Sequence, residues 1–230
     1  MSAATRASLY LGALSSFVSK KKGRARQVNS SIADPAVFVV DDDQAIRYAM
    51  EMLLRSVNLP HRIFDSGAAF LAQYDAKCRG CLVLDIRMPG MGGLELQQEL
   101  AQRGSSLPII FITGFGDIPM AVEALQNGAF DFIEKPFRDQ ELLDRIGKAM
   151  EVDAAQSNRQ KILQGTRERL ARLTPREREV FDLVVTGKAN KVIAHQLSVS
   201  QRTVEIHRAR VMEKMEARSL ADLVRMQLEA

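Results

Sequence analysis

No part of the 230-residue chain is apolar for the roughly 18 residues that a membrane-spanning helix needs, and the first 34 residues lack the order of a secretory signal. The expectation is a cytoplasmic protein with no membrane insertion. Cysteine is almost missing: only Cys78 and Cys81 are present, so a disulfide framework is excluded as the source of stability and a hydrophobic core must provide it. Their spacing is that of a redox pair. Cys81, however, opens a strand expected to be buried, and no thioredoxin-like pattern surrounds it, so both are read as core cysteines. The three histidines, His61, His195 and His207, are scattered and form no metal pattern. Excess charge is small at +4, yet it is unevenly placed. Residues 1–34 carry +5, residues 35–150 carry −5 and residues 151–230 carry +4. An acidic middle before a basic end points to a cation site or acidic chemistry first and a polyanion partner second.

What is present falls into two patterns. Between Pro35 and Ala149, short apolar runs alternate with amphipathic stretches. Val37 to Val40, Arg62 to Phe64, Cys81 to Leu84, Ile109 to Ile112 and Phe130 to Ile133 are expected strands. Gln44 to Val57, Ala68 to Gln73, Gly93 to Gln102, Pro119 to Gln126 and Asp139 to Met150 are expected helices. Strand and helix in alternation predict an α/β, doubly wound five-stranded parallel sheet. From Thr174 onward every apolar run has helical period, which predicts a small all-α domain. The expected organisation is an extension over 1–34, a first domain over 35–151, a polar and partly helical linker over 152–168, and a second domain over 169–230.

Asp41 and Asp42 follow strand one, Asp85 ends strand three, Thr113 follows strand four and Lys135 lies past strand five. In a doubly wound sheet these strand ends share one crevice. Three carboxylates there would repel one another unless a cation sat among them, and an oxygen-only set with room for water suits Mg²⁺. An aspartate can accept a phosphoryl group if the meeting of two anions is offset, which Mg²⁺ and Lys135 would do, with the Thr113 hydroxyl donating to a phosphoryl oxygen. Lys135-Pro136 is an expected cis bond. Isolated acidic residues after strands are commonly turn-formers or helix caps. The constellation as a whole outweighs that reading.

Val40-Asp41-Asp42-Asp43, Leu84-Asp85-Ile86-Arg87-Met88-Pro89-Gly90-Met91-Gly92-Gly93, Ile112-Thr113-Gly114 and Glu134-Lys135-Pro136-Phe137 resemble, in order, the motifs of receiver domains. The resemblance implies a flavodoxin-like fold, Asp85 as phosphoacceptor, Asp42 as direct Mg²⁺ ligand, Asp41 as ligand through water, and the Arg87 backbone carbonyl as a further ligand. It implies a sensor histidine kinase or small acyl phosphate as donor, with no enzymatic turnover beyond the domain's own phosphoryl transfer and hydrolysis. Phe132 stands where the family has an aromatic that turns inward once Thr113 is drawn to the phosphoryl group. An ordinary core phenylalanine, sharing a face with Phe130, is the equal alternative. The surface from about Asp117 to Met150 would by the same resemblance form a homodimer on phosphorylation.

In the second domain Lys191 to Leu197, a turn through Ser198, Val199 and Ser200, and a following helix read as a helix-turn-helix, with Ser200 as N-cap. Thr174 and Pro175 start an earlier helix, and a last helix begins near Ser219. If Val204 and Val211 face inward, Arg202, Glu205, Ile206 and Ala209 share another face that can enter a major groove. Glu205 can accept from cytosine, and Ile206 or Ala209 can touch a thymine methyl. Lys191, Thr203, Arg208 and Arg210 are the expected phosphate contacts. Charge alone leaves a plain helical interaction domain open. Leu173-Thr174-Pro175-Arg176-Glu177-Arg178-Glu179-Val180, Asn190-Lys191-Val192-Ile193-Ala194 and Arg202-Thr203-Val204-Glu205-Ile206-His207-Arg208 resemble the LuxR-type DNA-binding domain.

Together with Gly116 to Val122 and Asp131 to Phe137, the pairing resembles the FixJ type of two-component response regulator. That resemblance implies double-stranded DNA and RNA polymerase as partners, and the Arg202 to Met215 stretch is similar to regulators of tetrathionate respiration. A competing enzyme reading, a haloacid-dehalogenase-like phosphatase built on Asp41-x-Asp43, leaves Asp85 and the helical domain unexplained. A receiver that only dimerises leaves the full set of pocket residues unexplained. Over residues 1–34, Leu11, Leu14 and Val18 with Lys20 to Lys22 could form a weak membrane-surface helix; a disordered tail or misassigned start is the expectation.

Overall fold

The computed structural model describes residues 34–114 and 118–229. The N-terminal extension, apart from Asp34, lies outside the described residues, as do Gly116 of the FixJ-like run and Asp117, where the expected dimer surface begins. Five strands, β1 (Ala36–Val40), β2 (His61–Phe64), β3 (Gly80–Asp85), β4 (Ile109–Thr113) and β5 (Asp131–Glu134), form one sheet of order β2-β1-β3-β4-β5. All neighbouring strands are parallel. Five helices follow them: α1 (Gln44–Ser56), α2 (Gly67–Gln73), α3 (Gly93–Gln102), α4 (Ile118–Gln126) and α5 (Asp139–Ala171).

Because helices cover both faces, the central strands are buried on both sides and read as unbroken apolar runs. Phe38, Val40, Leu82, Leu84 and Phe111 pack on Phe70 of α2, Leu96 and Leu100 of α3 and Ala124 of α4. Their alternates Val37, Val39, Val83, Ile110 and Ile112 pack on Met50 and Leu54 of α1 and Leu142, Ile146 and Ala149 of α5. Each fully buried Leu, Ile or Phe stabilises the fold by about 1.5–3 kcal/mol relative to exposure. Phe70 adds edge contacts to Phe38 and Phe64, with ring centroids 5.7 and 5.3 Å away.

Two details differ from the sequence reading. Strand β5 begins at Asp131, so Phe130 lies before it and packs with the α1/α5 side, while Phe132 packs with the opposite side. The two phenylalanines therefore do not share a face. Second, α5 is a single helix of 33 residues that runs through the whole of 152–168. Its outer half is polar but rich in Ala, Gln, Lys and Arg and free of proline; polarity there reports solvent contact, and the helix propensity is intact.

The second domain consists of α6 (Pro175–Val184), α7 (Asn190–Gln196), α8 (Gln201–Lys214) and α9 (Leu220–Glu229). Val180, Phe181, Ile193, Val204, Val211, Met215 and Leu223 form its core. Thr174 caps α6 reciprocally: its N–H donates to Glu177 Oε2 at 2.8 Å and its Oγ1 accepts from Glu177 N at 3.3 Å. Ser198 takes the left-handed conformation in the α7–α8 turn, and Ser200 Oγ accepts from Thr203 N at 3.0 Å to cap α8.

Candidate functional site

Asp41, Asp85, Thr113 and Lys135 all lie at the carboxyl edge of the sheet. The crevice there opens where the strand order reverses between β1 and β3. Lys135 Nζ donates to Asp85 Oδ1 at 2.6 Å and to Asp41 Oδ2 at 3.1 Å. Both carboxylates are almost fully buried, and the ammonium supplies the counter-charge they require. Burial raises the Asp85 carboxyl above its ordinary range, and its hydrogen bond to Lys135 opposes that rise. For Lys135 burial works against the charged form, but the bonds to Asp85 and Asp41 outweigh it and hold the ammonium above its ordinary value. The Lys135-Pro136 bond is cis, as expected.

Backbone groups fix the two carboxylates. Arg87 N donates to Asp85 Oδ2 at 2.8 Å, and Asp43 N donates to Asp41 Oδ1 at 2.8 Å. Arg47 Nη1 donates to the Asp41 carbonyl at 2.9 Å, and Asp43 caps α1 through Ala45 N and Ile46 N. Gly93 lets the start of α3 approach this centre: a Cβ there would stand 2.4 Å from the Asp85 carbonyl oxygen. Sequence reasoning gave a positioning role to none of Asp43, Arg47 and Gly93, although Asp43 and Gly93 stand within the receiver-like motifs. Of these only Asp43, an acidic residue just before a helix, carried a readable signal.

Other expected members stand apart. The Asp42 side chain is exposed, and among the described residues no group of three or more His, Cys, Asp or Glu could hold a metal ion. The expected three-carboxylate cluster is thus two carboxylates joined by a lysine. The Thr113 hydroxyl is buried and donates to the Ile133 carbonyl at 3.4 Å. Phe132 is half-buried against the α2–α4 side.

On α8, Arg202, Glu205, Ile206, Ala209 and Arg210 are exposed, as is Lys191 on α7. Ile206 is 48% exposed, unusual for isoleucine, while Val204 and Val211 are buried as expected. Thr203 and Arg208 are half-buried and already engaged: Thr203 Oγ1 lies 2.7 Å from Ser200 Oγ, and Arg208 Nη1 donates to Asn190 Oδ1 at 3.1 Å. Asn190 was not among the expected site residues. Cys78 and Cys81 are buried in cores on opposite faces of the sheet, and burial raises both thiols above their ordinary values. Neither has the exposure or the lowered pKa of a reactive thiol.

Residues 37–147 match the family described as response regulator receiver domain, and residues 171–227 match the luxR family of bacterial regulatory proteins. Nodulation protein W of Bradyrhizobium diazoefficiens is 48% identical over 190 residues, 83% of this chain and 84% of that protein. Transcriptional regulatory protein FixJ of Azorhizobium caulinodans is 46% identical, over 84% of this chain and 92% of that one. Among solved structures, the response regulator StyR superposes with a TM-score of 0.80 at 41% identity, covering 86% of this chain and all of that one. Full-length FixJ from B. japonicum gives 0.53 at 40% identity, covering 86% and 97%.

The chain belongs to the response regulators that join a receiver domain to a luxR-type DNA-binding domain. Within them its relatives are FixJ-like transcription regulators. Nothing among these relatives supports a regulator of tetrathionate respiration. No helix among the described residues is long and apolar enough to cross a membrane.

Proposed function

We propose that Asp85 is the phosphoacceptor and that its phosphorylation, by a sensor histidine kinase or a small acyl phosphate, controls binding of α8 to an operator in the cytoplasm. The reading is carried by the bridge from Lys135 Nζ to Asp85 and Asp41. An Asp85 carboxylate oxygen attacks phosphorus, the bond from phosphorus to the donor's nitrogen or oxygen breaks, and an aspartyl phosphate forms. Lys135 offsets the charge of the incoming anion. Hydrolysis of the product by the domain itself returns it to the resting state.

The donor set fits Mg²⁺, which binds through one or two carboxylates together with phosphate oxygens and water. Asp41, Asp85 and the Arg87 backbone carbonyl would hold it, joined by Asp42 once its exposed side chain turned inward, and when bound it would supply charge neutralisation at the phosphoryl oxygens. Thr113 would exchange its bond to Ile133 for one to a phosphoryl oxygen, and Phe132 would move inward behind it. Exposed Val122 and Leu125 on α4 favour a homodimer across the α4, β5 and α5 surface. On DNA, Arg202, Glu205, Ile206 and Ala209 would meet bases, and Lys191, Thr203, Arg208 and Arg210 would meet phosphates. The bound dimer would then act on RNA polymerase.

Acetyl phosphate with Mg²⁺ should add one phosphoryl group to the wild type and none to Asp85→Asn, read by intact mass. Equal addition to both would remove Asp85 from its role. Footprinting of the phosphorylated protein across its genome would identify the operator.

A further inference from the structure

Helix α5 buries Leu142, Ile146 and Ala149 along one stripe, and the next residue in that stripe is Asp153, only 3% exposed. A buried carboxylate one turn beyond three apolar positions requires a partner, which is Arg79. Arg79 Nε donates to Asp153 Oδ1 at 3.0 Å, and Nη2 donates to Oδ2 at 2.9 Å and to the Asp153 carbonyl at 2.6 Å. This planar fork fixes direction as well as distance.

Arg79 is itself anchored. Its carbonyl accepts from Ala36 N at 3.0 Å. The following Gly80 has φ +121°, and a Cβ there would lie 1.9 Å from the Ala36 carbonyl oxygen, so only glycine allows this approach. At the other end, Arg169 pairs with Glu216 at 2.9 Å, and Lys214 Nζ donates to the Arg172 carbonyl at 3.1 Å. The end of α5 is thereby joined to the end of α8. Asp153 lies beyond residue 147, where the receiver match ends, and before residue 171, where the DNA-binding match begins. Moreover, StyR and full-length FixJ, at 41% and 40% identity and each covering 86% of the chain, superpose on it with TM-scores of 0.80 and 0.53.

We infer that Arg79 and Asp153 are positioning residues that lock the rotation of α5 against the receiver sheet and so set where the recognition helix stands. An apolar pair of similar volume would preserve packing without fixing direction.

The inference is tested on the full chain with nitroxide labels at Gln98→Cys and Gln227→Cys, both exposed, the native cysteines being buried. Pulsed electron resonance should give one narrow distance distribution. In Asp153→Asn, and in the double variant Arg79→Met with Asp153→Leu, its width should at least double while the melting temperature of the double variant is unchanged. A broad distribution in the wild type, or a narrow one in the double variant, overturns the inference. The measurement uses neither DNA nor phosphorylation, so it fails independently of the role given to Asp85.

Discussion

Lys214 Nζ stands 2.6 Å from Glu177 Oε2, at the junction of the first helix of the DNA-binding domain with the end of the recognition helix. That contact, with the Thr174 N–H next, lowers the Glu177 carboxyl to about 2 from an ordinary 4.5. A depressed folded value means that the stabilisation is fully present above the unfolded value and is lost as pH falls from about 4.5 towards 2. Glu177→Gln should therefore melt lower than wild type at pH 7, by about 1–2 kcal/mol for a weakened cap. Thermal unfolding of both proteins from pH 7 to pH 2 should show the difference close as acid protonates the wild-type carboxylate.

Lys135→Ala removes the counter-charge shared by Asp41 and Asp85. Phosphoryl transfer from acetyl phosphate should slow by about 10²–10³-fold, the usual effect of losing one charged group at a reacting phosphate or oxyanion. Stopped-flow or mass-resolved time courses will measure it, and an unchanged rate would leave the lysine a purely structural neighbour.

Gly93→Ala tests the close approach at the start of α3. Its Cβ would stand 2.4 Å from the Asp85 carbonyl oxygen and 3.0 Å from both Ile86 Cα and the buried Phe111 ring, so the cost should be that of overpacking, about 1–3 kcal/mol in urea unfolding. Phosphorylation should also slow, because the displaced group is the Asp85 carbonyl.

On α8, exposed charge and exposed apolar surface should separate by salt. Arg210→Ala should lower the slope of log affinity against log salt by about one unit, whereas Ile206→Ala should weaken sequence preference and leave the slope unchanged. Binding to a duplex selected with the phosphorylated protein, titrated over a salt series, distinguishes the two.

The sheet was readable because strands buried on both faces must be apolar throughout, as Leu82 to Leu84 and Ile109 to Ile112 are. Asp41, Asp85 and Lys135 were readable because strand ends in such a sheet share one crevice. Phe130 was misplaced because it lies in the loop just before β5, where strand alternation does not hold, and composition does not encode that one-residue boundary. The length of α5 was missed because its outer half buries few side chains, leaving little hydrophobic period to read. Likewise, the Arg79 to Asp153 pair joins residues 74 positions apart, and no local pattern announces a partner so distant.

An unbroken α5 also has a phase. Ala171 lies 18 residues beyond Asp153, roughly 27 Å of helix at 1.5 Å per residue. One residue inserted into that span would turn everything beyond it by about 100°, whereas seven would return it to within about 20°. The distance between receiver and operator-binding surface changes little in the first case, yet the recognition helix faces elsewhere. In this chain the spacing of two domains along the sequence is therefore an angular coordinate before it is a length.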